Sequence, residues 1–413
     1  MKTMVKYELK KIFSAVSSKI TLGLLAIMVL LSTWMAVSSV EWVNESGDPE
    51  TGFAAIGKLR GAQKEWSGML DEERLRLILQ ENQRIAATPE AQSRDYQQND
   101  IAYGWRQGFR PVLDMANQAY ASGFQEFDWY TNERITPDQA GNFYGNRTKL
   151  MQEWLYDETG SAYRLFTEKE KLYLVEQYET LETPFYYTYA DGWEQLLYNS
   201  PFVIMVGTLI LGYLAAGIFS NEFRWKSDAV FFSSRYGRDK AATAKIGAGF
   251  VLVTALYWAA VLIYTLLTLG CLGFSGWNSP IQIDLWKVFY HLKLWQAWAL
   301  TAVGGYIGSL FFVFLTMWVS AKTRSSLVAV TVPFLLIFLP SFLDNLNIDK
   351  LSKLLGLLPD QLLQIYQALR YFYVYEIGGK VFNAMTLLIV IYSLLTLALA
   401  PMMYRDFRKK EIG

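Results

Sequence analysis

Few side chains in this sequence are equipped for bond-making chemistry. Its 413 residues contain one histidine, His291, and one cysteine, Cys271. A Ser-His-Asp triad, a Cys-His dyad or a histidine zinc site would each have to be built on that single imidazole. One cysteine also leaves no internal disulfide framework. No GxxxxGK[ST] phosphate loop is present. The nearest run, GFAAIGKL at 52–59, lacks the Ser/Thr that would hold magnesium. HExxH, CxxC and GxSxG do not occur. Acidic residues are plentiful, but no spacing singles out an acid–base pair. The chain therefore reads as a non-enzyme that binds no metal and no cofactor of its own. His291 reads as an ordinary side chain of an interfacial loop.

The elements that would carry any site are apolar. Hydrophobic residues make up 52%, aromatics 16% and charged residues 18%, against about 25% charged in a soluble domain. A disordered chain or a nucleic-acid binder does not have this composition. Six stretches contain no Asp, Glu, Lys or Arg: 20–40, 201–220, 246–272, 297–321, 325–343 and 381–404. Each is near or above the roughly 20 residues that cross a bilayer core. The fifth is the shortest and holds Pro333 and Pro340, which predicts a bent helix. The first is too long for the apolar part of a signal peptide.

Charge placement orients these spans. Segments 1–19, 221–245, 322–324 and 405–413 together hold 17 basic and 6 acidic residues, whereas 41–200 holds 15 basic and 27 acidic. Lys/Arg-rich segments stay on the cytoplasmic side. Both termini are expected in the cytoplasm, with 41–200 outside.

Residues 1–19 predict an amphipathic interfacial helix. Val5, Leu9, Ile12, Phe13 and Val16 fall on one face, and Lys2, Lys6 and Lys10 on others. Segment 41–200 is long enough for a domain. Helical periodicity over 69–86 and 162–181 and scarce alternation predict a mostly α-helical one. Its aromatics, Trp154 among them, are expected to pack its core. Trp277, Trp286 and Trp295 fit an interfacial belt. Segment 344–380 is too polar for a span and too apolar for a free loop. It predicts a re-entrant or interfacial helical hairpin turning near Pro359-Asp360. The fold class expected is thus an all-α polytopic membrane protein with six transmembrane helices.

The loop after the second span reads NEFRWKSDAVFFSSRYGRDKAATAKIGAGF, residues 221–250. With its acidic residue Glu222, serine pair Ser233-Ser234, basic Arg235, the step Tyr236-Gly237-Arg238 and Lys245 opening the next span, it resembles the permease subunits of bacterial type-two ATP-binding-cassette (ABC) exporters. The likeness is to the Gram-positive-like branch with a large external domain after the first span. The start KYELKKIFSAVSSKI, with Lys6, Leu9, Ile12 and Phe13, is similar to the entry helix of that class. One departure is Ser227-Asp228, where many members have Gly and Thr or Asp, and the sequence of 41–200 is not covered.

The resemblance implies a bacterial plasma-membrane exporter of a peptide, antibiotic, lipid or other amphipathic compound. Its partners would be two copies of a separate ABC ATPase, which bind ATP and Mg, a second identical or related permease, and membrane lipids. Phe231 and Phe232 would anchor the ATPase-coupling loop apolarly, with Glu222, Arg235, Arg238 and Lys240 giving charge complementarity. Gly237 would permit a tight turn. Two other readings use the external domain instead, one as a ligand receptor or sensor, one as an enzyme.

Overall fold

The computed structural model describes residues 2–128, 130–226, 233, 239–344 and 349–409. Phe231, Phe232, Ser234, Arg235, Gly237 and Arg238 of the loop lie outside these residues.

Apolar sequence without internal charge becomes long helix. We number the helices of the bundle α1 (Lys2–Ser14), α2 (Val16–Ser38), α3 (Asp191–Arg224), α4 (Lys240–Leu272), α5 (Leu294–Thr323), α6 (Ser326–Asp344) and α7 (Ala384–Arg408). Five of them, α2, α3, α4, α5 and α7, are long and apolar enough to cross a membrane. The chain is a mostly helical, multi-pass membrane protein. The fifth apolar stretch stands apart. α6 has 19 residues, contains Pro333 and Pro340, and is apolar over a shorter run, Ser326–Pro340.

The helices overrun the charge-free stretches. α3 has 34 residues, about 50 Å at 1.5 Å per residue, and so carries acids at both ends. Pro201 lies inside it and cannot donate to the Leu197 carbonyl. Ser200 Oγ donates to that carbonyl instead, at 2.6 Å. α5 is central, packing on α3, α4, α6 and α7. Its Gly304 and Gly308 leave one stripe without side chains, facing Leu362, Leu363 and Ile365, while Gly305 faces Tyr257 and Ile204. A Cβ on Gly308 would sit 2.9 Å from Leu362 Cβ, so only glycine admits the 359–368 segment there.

That segment departs from a helical hairpin. Short helical pieces at Asp349–Leu355, Pro359–Leu363 and Ile365–Ala368 are followed by two antiparallel strands, Val374–Ile377 and Lys380–Asn383. Gly378 and Gly379, both at positive φ, make the turn between them. Two adjacent left-handed residues are what a two-residue hairpin requires. The last long helix consequently begins at Ala384 rather than 381, capped by Asn383, whose side chain accepts from Thr386 N at 2.9 Å.

Segment 41–200 is mainly helical, with two small two-stranded sheets. The periodic stretches form Glu72–Ala86, capped by Asp71, and Glu168–Glu179, capped by Thr167 in a reciprocal box with Glu170. It is not packed alone. Its core is continuous with that of the bundle. Buried Arg147 donates to Trp286 O at 2.9 Å and Val288 O at 2.7 Å, with its guanidinium 3.8 Å from the Tyr178 ring centroid. Lys353 donates to Glu170 at 2.7 Å, and Glu170 also accepts from Glu376 N. The segment is therefore pinned to the 281–293 and 349–383 connections. Trp154 packs as expected, against Phe124, Phe166 and Phe372.

Candidate functional site

The strongest cluster of charge outside 41–200 forms where α1, the C-terminal end of α3 and the N-terminal part of α4 meet. α1 is amphipathic as its spacing demands. Leu9, Ile12 and Phe13 are half-buried against the core, and Lys6 is exposed. Ala15 is extended and ends α1 before α2. This break lets α1 turn across the bundle, where Val5 approaches Gly247 of α4.

Lys245, one turn into α4, is fully buried. Its ammonium donates to Ile218 O at 2.7 Å, Glu222 Oε1 at 2.9 Å and Glu8 Oε2 at 3.1 Å. All three of its protons have acceptors. Glu222 Oε1 also accepts from Lys11 Nζ at 2.6 Å. Lys11 in turn stands 5.6 Å from the Trp225 ring centroid. Four charges from three helices thus form one satisfied network, and it brackets the 225–239 connection at both ends. A buried charge that loses its partner costs about 3–5 kcal/mol, so these helices do not separate readily.

Both central charges of the network are buried. Glu222 is 3% exposed and Lys245 is 0% exposed. Charge complementarity toward a partner does not fit Glu222, because its carboxylate is engaged inside the chain. Glu222 and Lys245 bond to each other and to α1 and α3 within the chain. Lys240 and Ser233 are exposed, the position a docking residue needs.

Other contacts tie down the same end. Tyr404 of α7 donates to Asp239, next to the start of α4. Trp318 Nε1 of α5 donates to Asp406 Oδ2 at 2.9 Å. Arg324 lies 4.8 Å from the Phe223 ring centroid. Beside the network is a cavity of about 380 Å³, lined by Lys11, Asn221, Arg224, Trp225, Ser326 and Leu327 among others. The described surface here is basic and aromatic and is framed by helix ends.

Glu8 and Lys11 are members of the network that the sequence reading left out. The signal was available. Glu8 interrupts the apolar face of α1, and Lys11 follows it by three residues, within side-chain reach on a helix.

At the opposite end, a cavity of about 520 Å³ lies between 41–200 and the connections, lined by Trp154, Phe166, Trp286, Lys287, Arg370 and Phe372 among others. Its size and aromatic walls suit a small-molecule site. His291 is not part of it. Its Nε2 lies 2.7 Å from Gln177 O, a structural contact. Among the described residues no group of three or more His, Cys, Asp or Glu could hold a metal ion.

Set against protein-family models, curated proteins and solved structures, the chain matches none.

Proposed function

We propose that this chain is the membrane-spanning permease subunit of an ATP-driven exporter of the type-two ABC class. The observation that carries the reading is the network of Glu8, Lys11, Glu222 and Lys245. It makes the entry helix and both ends of the 225–239 connection one mechanical unit. A force applied to the loop would then reach α1, α3 and α4 together, which is what coupling to a motor requires. ATP and Mg would bind to two copies of a separate ATPase docked at this end. Export would use a second permease, identical or related, with the gate between the two copies.

In this reading α6 is a bent sixth span, and the bundle lies in a bacterial plasma membrane. Both termini are cytoplasmic and 41–200 is outside. The cargo would be a peptide, antibiotic, lipid or other amphipathic compound. The 520 Å³ cavity favours a second reading, in which the external segment senses a ligand. The two are separated by combining Arg238→Glu with Phe231→Ala. Under the exporter reading these changes lower recovery of the ATPase subunit with the chain and leave membrane insertion intact. Unchanged recovery and unchanged transport would remove the coupling role of the loop.

A further inference from the structure

The charge-free spans suggest a bundle with no ionisable group at depth, but the 349–368 connection brings one in. Gly308 lies about 20 Å along α5 from Leu294, and it is there that Leu362 and Leu363 pack. Tyr392 of α7, eight residues past the start of that helix, donates to Leu357 O at 3.0 Å. The Pro359–Leu363 turn therefore sits well inside the bundle. A short, broken run of helical turns at such depth is tolerated where protein covers its free backbone groups or where it lines a cavity. Here both hold.

Asp360 is in this turn and is 1% exposed. Its Oδ2 accepts from Gln361 Nε2 at 2.8 Å and Gln364 Nε2 at 3.1 Å. Its Oδ1 is buried and takes no well-aligned hydrogen bond among the described residues, with only the backbone N–H groups of Asp360 and Gln361 close to the carboxylate. An unpaired buried carboxylate oxygen is costly, and a native chain keeps one for a reason. Asp360 lines a cavity of about 230 Å³ together with Gln361, Gln364, Gln367, Tyr371 and Tyr373. The two tyrosine rings are stacked, with centroids 5.2 Å apart. Gly356 lets the Tyr373 ring lie against the backbone, where a Cβ would meet Cδ2 at 2.5 Å. Among the described residues no Lys or Arg lines the cavity.

We propose that this cavity binds the cationic nitrogen headgroup of an organic ligand, an ammonium or guanidinium, with Asp360 Oδ1 as the acceptor. One carboxylate, amide oxygens and aromatic faces suit a soft, singly charged group. A bare metal ion would fill little of the space, since a water occupies about 30 Å³.

The test uses the full-length chain in neutral detergent, without any ATPase, so its outcome is independent of the transport reading. n-Butylguanidinium and n-butylammonium are titrated against the thermal midpoint, with 1-pentanol as the uncharged match and sodium and potassium chloride as inorganic cations. The expected result is saturable stabilisation by at least one organic cation and none by pentanol. Asp360→Asn should weaken the apparent affinity at least about tenfold, the scale of a hydrogen bond to a charged group. Gln367→Leu should weaken it several-fold, and it serves alone if Asp360→Asn does not fold. No stabilisation of the wild type by either organic cation would overturn the proposal. So would equal stabilisation by pentanol, the same saturable effect from sodium or potassium, or unchanged affinity in the variants.

Discussion

Lys245 is a long cationic side chain with no exposed surface, and it is stable there because three oxygens receive its three protons. Lys245→Met takes from buried Glu222 the ammonium at 2.9 Å. We expect a loss of about 3 kcal/mol, read as a lowered thermal midpoint in detergent. Combining it with Glu222→Leu should cost less than the two single changes together, because neither charge is then left buried. A second residue-scale expectation concerns Asp284, outside the long helices. Burial, the largest cause, and the nearby Asp191 carboxylate push its carboxyl up to about 6, against the pull of Tyr366 and Arg370. A carboxyl raised in the folded state is stabilising while protonated. That contribution is lost as pH rises from about 4 through 6. The thermal midpoint of wild type relative to Asp284→Asn should therefore fall over that window, and a flat difference would remove this role. The sequence named Glu222 and Lys245 through a resemblance. Which way their side chains face is a property of how three helices cross, and no linear spacing holds it. Asp360 reads from the sequence only as part of a turn, and its burial depends on where the 349–368 connection packs against α5.

α5 positions its neighbours through what it lacks. Gly308→Leu should expel the 359–368 segment from its stripe. Overpacking costs about 1–3 kcal/mol, and protease cleavage within 349–383 should rise. Gly192 in α3 is less forgiving. A Cβ there would collide with the Gly273 carbonyl oxygen, which is backbone and cannot turn away. Gly192→Ala should lower the yield of folded protein. At this scale much was legible. Long apolar runs located α2, α3, α4, α5 and α7, because burial or lipid selects the same residues whatever they pack on. The helix ends were not legible. α3 continues through Ser200 and Pro201 by a local hydroxyl substitution, and amphipathic turns extend beyond the apolar run. The Gly378-Gly379 hairpin carried its own signal, a Gly pair between β-branched and aromatic residues, which was masked by the leucine-rich run before it.

Over the whole molecule, one core runs from the bundle into 41–200. Arg147 is the clearest fastener, with two carbonyls and an aromatic ring around a buried guanidinium. Arg147→Met should loosen 41–200 from the 281–293 connection and quicken proteolysis there, while leaving the bundle helices protected. The two ends share packed side chains rather than a flexible linker. This continuity suits a machine driven from the end that holds α1 and the loop, and it makes isolated 41–200 a poor substitute for the chain. The measurement that tests this most directly is recovery of the intact chain from native membranes in mild detergent, followed by mass spectrometry and an ATPase assay. The account predicts a stoichiometric P-loop protein, and ATP hydrolysis that depends on residues 221–245. Recovery of the chain alone, with no associated hydrolysis, would contradict it.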